Sequence, residues 1–128
     1  MTVLVVDNGS PYVRDITLCL DNLKQIHELK KYDEVFLLSD YQKVILSGRR
    51  KNKKEINSIN SKIIKTCFTN ETPVLGICYG AEIIALTFGG SLHKTDLIQG
   101  FNRINIEKPT KLLERTRCNV YESHSYAI

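Results

Sequence analysis

Long hydrophobic runs are missing from this 128-residue chain: the longest, such as Val3 to Val6, are strand-sized. A membrane-spanning helix needs roughly 18 apolar residues, so no span is expected. Its four cysteines, Cys19, Cys67, Cys78 and Cys118, lie far apart with no C-x-x-C pair. That excludes the familiar zinc spacing and a disulfide framework, leaving four individual thiols and no expected metal or cofactor. Met1-Thr2 leads into the first apolar run with no basic region before it, and Asp7 follows, so no signal peptide is expected and the chain reads as cytoplasmic. Internal repeats and low-complexity stretches are absent too. A hydrophobic content of 42% with 25% charged residues excludes disordered and fibrous classes. The length suits one domain, residues 1–128, with a single core.

The net charge of +4 is modest, and much of it comes from the run Arg49 to Lys54, "RRKNKK". Solvated loop and helix-start charge explains such a run more simply than a nucleic-acid patch, so nucleic acid is not an expected partner. A basic rim that meets a partner subunit or an anionic substrate lies between those readings.

Strand and helix patterns alternate. "TVLVVD" (Thr2 to Asp7) is a continuous apolar run ending in a charge, as in a strand buried on both faces of a parallel sheet. After the turn residues Asn8 to Pro11, apolar residues recur at Tyr12, Ile16, Leu20 and Leu23, which predicts a helix. "DEVFLLS" (Asp33 to Ser39) and "QKVILSG" (Gln42 to Gly48) read as two further strands. Ile56, Ile59, Ile63, Ile64 and Cys67 share one face of a second helix. "TPVLGI" reads as a fourth strand, and Ala81 to Phe88 as a third helix closed by Gly89-Gly90. Shorter strands are expected near "RINIEK" and "NVYES". The expected architecture is an α/β fold, a three-layer open and mostly parallel sheet that binds ligands at the carboxyl ends of its strands. Three loops are then of interest: Asn8 to Tyr12, Ser47 to Asn52 and Cys78 to Glu82.

The third loop carries Gly76-x-Cys78-x-Gly80 between a strand and a helix, the form of a nucleophile elbow with cysteine in place of serine. Small residues on either side let a strained turn pass between packed elements. A helix N-terminus at the sulfur favours the thiolate and offers an oxyanion site. The bland reading of the same motif is a buried thiol whose glycines allow close strand–helix packing.

"VLVVDNGS", "KVILSG", "PVLGICYGAEIIALTFGG" and "YESHSY", in that order and spacing, resemble the class I glutamine amidotransferases. The likeness is nearest to the glutaminase part of GMP synthetase and covers nearly the whole chain. It implies a flavodoxin-like sheet and a cysteine that attacks the side-chain amide of glutamine, giving a γ-glutamyl thioester and ammonia. Water then releases glutamate, and the ammonia goes to an ATP-dependent synthetase partner. Matched position by position, the resemblance makes Cys78 the nucleophile and Gly76 and Gly80 the elbow glycines. Tyr79 supplies one oxyanion N–H, and the Gly48–Arg49 loop the other. Ser123, His124 and Ser125 match a segment beside the bound glutamine.

The departures are as informative. Where the family commonly reads G-H-Q, this chain has Gly80-Ala81-Glu82, placing Glu82 at a substrate-holding position. The family's S-G-G-P loop becomes Ser47-Gly48-Arg49-Arg50. A charge-matched Glu82 and Arg49 would suit a zwitterionic substrate or mark an altered one. The family's downstream catalytic histidine and glutamate have no counterpart before Ile128. The chain therefore reads either as C-terminally truncated or as a relative that has lost the dyad, and the unfinished sheet favours truncation. His27 and His93 read as surface residues, and His124 as a structural or substrate-contact residue, not a general base. A phosphoacceptor receiver domain would share the opening strand but needs an aspartate where this chain has Leu46-Ser47-Gly48. A non-catalytic regulatory or binding module and a γ-glutamyl cysteine hydrolase remain as alternative functions.

Overall fold

A computed structural model describes all residues 1–128. The chain forms two compact units, Met1–Leu92 together with Ile128, and His93–Ala127.

The first unit is a parallel sheet with helices on both faces. β1 (Val3–Asp7), β2 (His27–Lys31), β3 (Lys43–Leu46) and β4 (Val74–Gly76) lie in the order β2-β1-β3-β4, all pairs parallel. The registers pair Asp7 with Lys31, Val6 with Leu46, and Leu46 with Gly76. Those pairings bring the carboxyl ends of the strands to one edge, so the segments starting at Asn8, Ser47 and Ile77 emerge side by side. The strand order reverses between β1 and β3, the point in an open α/β sheet where ligands usually bind.

Alternation along β1 sorts the helices onto the two faces. Leu4 and Val6 join Val44 and Leu46 beneath α2 (Lys54–Thr69) and α3 (Tyr79–Thr87), in a cluster with Ile56, Ile63, Ile64, Cys67, Tyr79 and Ile83. Val3 and Val5 face the other way, onto Leu20 and Ile16 of α1 (Val13–Asn22). The helical stripe expected for α1 is buried only in part, because Tyr12 and Leu23 flank the helix and stay exposed. The stripe of α2 is buried at Ile56, Ile63, Ile64 and Cys67 and half-buried at Ile59, and Gly89, just past α3, has a φ of +88°.

The second strand lies elsewhere than expected. It is His27–Lys31, "HELKK", and not Asp33 to Ser39. As an edge strand it needs no apolar face, and its polar side chains find local partners: the Tyr41 hydroxyl donates to Glu28, and Lys30 lies over the Tyr41 ring. Tyr32–Glu34 forms a 3-10 turn, and the apolar residues after it are split. Val35 and Leu38 pack on the core, while Phe36 and Leu37 are exposed.

The second unit is a two-stranded antiparallel hairpin, β5 (His93–Asn105) and β6 (Arg117–Ala127). Both strands are longer than the short segments expected near "RINIEK" and "NVYES". A register irregularity between Lys94 and Ile98 interrupts the ladder.

Candidate active site

Cys78 sits between β4 and α3 as the N-cap of the helix, with φ 56° and ψ −117°. A non-glycine residue at such a φ is uncommon and costs about 1–3 kcal/mol, which the surrounding packing must hold in place. The two glycines show how. A Cβ at Gly76 would come within 2.4 Å of the Ala81 nitrogen and the Gly80 carbonyl carbon, and one at Gly80 within 2.3 Å of the Leu46 carbonyl oxygen. Glycine at these positions lets the chain fold back on itself and lets α3 sit directly on β3. Ile77 N–H donates to the Leu46 carbonyl at 3.0 Å, and the Ala81 and Glu82 N–H groups both donate to the Cys78 carbonyl. The Tyr79 N–H is left to the sulfur of Cys78, where it favours the thiolate.

The loop after β3 lies against the same residue. A Cβ at Gly48 would meet the Cys78 Cβ at 3.3 Å and the Ser10 Oγ at 3.6 Å. Cys78, Gly48 and Ser10 thus converge from the ends of β4, β3 and β1. Beneath them is a buried polar network. Asn8 donates its N–H to Ser47 Oγ at 2.9 Å and its side-chain amide to the Ser47 carbonyl at 3.2 Å. Asn8 and Asn60 exchange side-chain bonds of 3.0 and 2.7 Å, and Asn60 also donates to the Ile56 carbonyl. Asn8, Ser47 and Asn60 are all almost fully buried, and no buried side-chain polar atom lacks a partner. Such a network holds two loops at one separation, since breaking any member strands the others.

A strand-to-helix cysteine held in an elbow, with an amide on its sulfur and a glycine loop against its side chain, is the arrangement expected of a positioned thiol nucleophile. The glutamine amidotransferase class-I family model matches residues 4–128. This chain belongs to the class-I glutamine amidotransferases. It is 32% identical over 127 residues to a glutamine-hydrolysing GMP synthase of Petrotoga mobilis, covering 95% of this chain and 24% of that protein. Among solved structures it is similar to a GMP synthase subunit of Thermoplasma acidophilum, with TM-score 0.84 and 25% identity over 98% of this chain and 65% of that one. A glutamine amidotransferase of Thermotoga maritima shares the fold, with TM-score 0.79 and 19% identity over 99% of this chain and 61% of that one. The chain spans about a quarter of the curated relative's length.

Within this member of the family the electrostatics at Cys78 differ from the sequence expectation in one respect. The thiol is reachable from solvent, yet the surrounding protein pushes its pKa up, and the nearby Glu82 carboxylate pushes the same way. The Tyr79 amide opposes both without reversing them. The helix terminus therefore softens the cost of the thiolate and does not by itself ionise the sulfur. Glu82, half-buried one turn into α3, acts on Tyr79 as well.

The basic run divides by role. Arg49 turns onto the site, its guanidinium 3.8 Å from the centroid of the Tyr79 ring. Arg50, Lys51 and Lys53 join Asp7, Lys31 and Tyr32 around a separate cavity of about 280 Å³. Ser123, His124 and Ser125 lie on β6 in the hairpin. Both ring nitrogens of His124 are engaged there, Nδ1 with the Tyr126 carbonyl at 3.0 Å and Nε2 with Glu122 at 3.2 Å. His27 is at the amino end of β2, paired with Val3, so it lies at the opposite end of the sheet from Cys78. His93 opens β5 and is exposed.

Asn57 and Asn60 are not among the residues that the sequence points to, and Ser10 enters only as part of the Asn8 to Tyr12 loop. Asn60 lies four residues after Ile56 and four before Ile64. A polar residue on an apolar helical stripe is the signal that could have found it. Ser10 and Asn57 carry no such signal, since only the approach of distant elements places them here.

Proposed function

We propose that this chain is a glutaminase component in which Cys78 attacks the side-chain amide of glutamine and ammonia passes to an ATP-dependent synthetase, GMP synthesis being the first candidate. The thiolate adds to the amide carbonyl carbon, forming a C–S bond and moving the π electrons onto oxygen. The Tyr79 N–H, with the Gly48–Arg49 loop, stabilises that oxyanion. Collapse breaks the C–N bond, and the nitrogen leaves as ammonia after taking up the proton that the Cys78 thiol gave up on becoming the thiolate. Water then adds to the γ-glutamyl thioester, and the sulfur departs as glutamate forms. Gly76 and Gly80 hold the elbow, and Glu82, Ser123, His124 and Ser125 are the proposed contacts to the substrate. Residues 1–128 act as one amidotransferase-like domain, because the family match runs through both compact units. A cytoplasmic location fits this role, and no helix of the chain is long and apolar enough to cross a membrane.

The observation that carries the reading is Cys78 at φ 56°, with the Tyr79 amide on its sulfur. A glutamine-like diazoketone tests it. Rapid labelling confined to Cys78, lost in Cys78→Ala and competed by glutamine, is the expected result. Labelling no faster than at Cys67 would sink the proposal. The second reading, a regulatory or binding module on the same fold, draws on the raised pKa of Cys78 and on His27 at the far end of the sheet. It predicts glutamine binding without glutamate release, even when a synthetase is added. A γ-glutamyl hydrolase would instead release glutamate with no response to a synthetase.

A further inference from the structure

The Gly48–Arg49 peptide is held from two sides. On one, the Ser47 hydroxyl donates to the Gly48 carbonyl oxygen at 2.8 Å, while its oxygen accepts the Asn8 N–H. A peptide unit is planar, so fixing that carbonyl fixes the direction of the Arg49 N–H as well. On the other side, the Arg49 side chain reaches the elbow. Its guanidinium lies over the Tyr79 ring, and Nη1 donates to Asn57 Oδ1 at 2.6 Å. The same Asn57 oxygen accepts the Tyr79 hydroxyl at 2.8 Å. Arg49, Tyr79 and Asn57 close a three-membered clamp joining the loop after β3, the first residue of α3 and the first turns of α2.

From this geometry we infer that Arg49 is a positioning residue: its side chain ties the Gly48–Arg49 peptide to Tyr79, so that the loop is held in register with the sulfur of Cys78. The inference rests on the proposed chemistry at Cys78 for its catalytic meaning, and on the contacts alone for the clamp. Three features suit arginine here. Its planar cation stacks on an aromatic face, its fork leaves an N–H for Asn57 while stacked, and its charge persists at any working pH. The Tyr79 hydroxyl, pushed up to about 12 chiefly by burial, stays a donor to Asn57 over the same range. Lysine could supply charge but not the stacked fork.

The test compares the full chain with Arg49→Gly, Arg49→Lys and Asn57→Ala. Amide hydrogen exchange at Asn8, whose N–H is held by the Ser47 hydroxyl that also fixes the Gly48 carbonyl, reads the clamp whether or not Cys78 reacts, and it should accelerate about tenfold in Arg49→Gly and less in Arg49→Lys and Asn57→Ala. The rate of Cys78 with a glutamine-like diazoketone, whose ketone oxygen occupies the oxyanion position, should fall about tenfold in Arg49→Gly, part of the roughly 10²–10³-fold that losing one donor costs. Iodoacetamide needs no oxyanion donor, so its rate with Cys78 should not change. Unaltered exchange would overturn the clamp. Faster exchange with unaltered diazoketone labelling would overturn the positioning role. Equal slowing of both reagents would show a general loss of structure and overturn it too. A parent chain that resists the diazoketone sinks the proposed glutaminase, and the exchange comparison still decides the clamp.

Discussion

Residues 1–92 contain every buried side chain of the protein, whereas no residue of β5 or β6 is buried. The parallel unit is held by two apolar clusters and a satisfied polar network at the strand ends. The hairpin has its ladder and, across the strands, only exposed contacts such as Phe101 against Tyr121 at 5.2 Å and Asn102 with Glu122. A two-stranded hairpin on such terms is marginal by itself. The difference bears on where chemistry can be placed. A strained cysteine needs neighbours that cannot move, and only the first unit has them.

Mutations spread across the two units sharpen that contrast. The largest effect is expected from Gly80→Ala, whose new methyl would overlap the Leu46 backbone. A loss of about 3 kcal/mol in urea unfolding, together with disordering of the elbow, is the expected outcome. Asn60→Ala comes next, because it takes from the buried Asn8 Oδ1 its donor and from the Asn8 side-chain amide one of its two acceptors. About 1–3 kcal/mol should be lost, and a smaller loss would mean that the loops do not depend on the network. Glu82→Gln tests the electrostatics without disturbing the packing. The Glu82 carboxylate disfavours the thiolate, so its removal lowers the Cys78 pKa and raises the thiolate fraction at any pH below it. Alkylation by iodoacetamide at neutral pH should then speed up modestly, and its pH profile, displaced above the ordinary thiol range in the parent, should move down. A profile that fails to move would remove Glu82 as a cause. Phe101→Ala in the hairpin is expected to change unfolding stability by no more than about 0.5 kcal/mol, since its ring is exposed. A larger loss would show that this hairpin depends on its aromatic pair and would weaken the contrast.

Legibility followed the same division. β1, β3 and the inner face of α2 could be read from residue order because the core covers them, so their apolar pattern is imposed by the neighbours they meet, while β4, nowhere fully buried, showed itself by leading into the elbow. The elbow was legible for a stricter reason: two glycines around Cys78 answer to backbone contacts that admit no side chain. β2 escaped because "HELKK" is a sheet edge with no apolar face to show. "DEVFLLS" misled because its hydrophobicity is divided between core and solvent. The long hairpin strands were seen only in fragments, since neither face is buried and alternation had nothing to record.

Residue order by itself determined an alternating α/β chain and a cysteine on a glycine-flanked bend, because local propensity and backbone space are written into neighbouring positions. Only the tertiary structure decided that Gly48 and Ser10 meet that cysteine, that Asn8 and Asn60 lock the loops, and that Arg49 turns onto Tyr79. Those contacts join segments far apart in the chain, and no spacing within any one of them carries the distance between their ends.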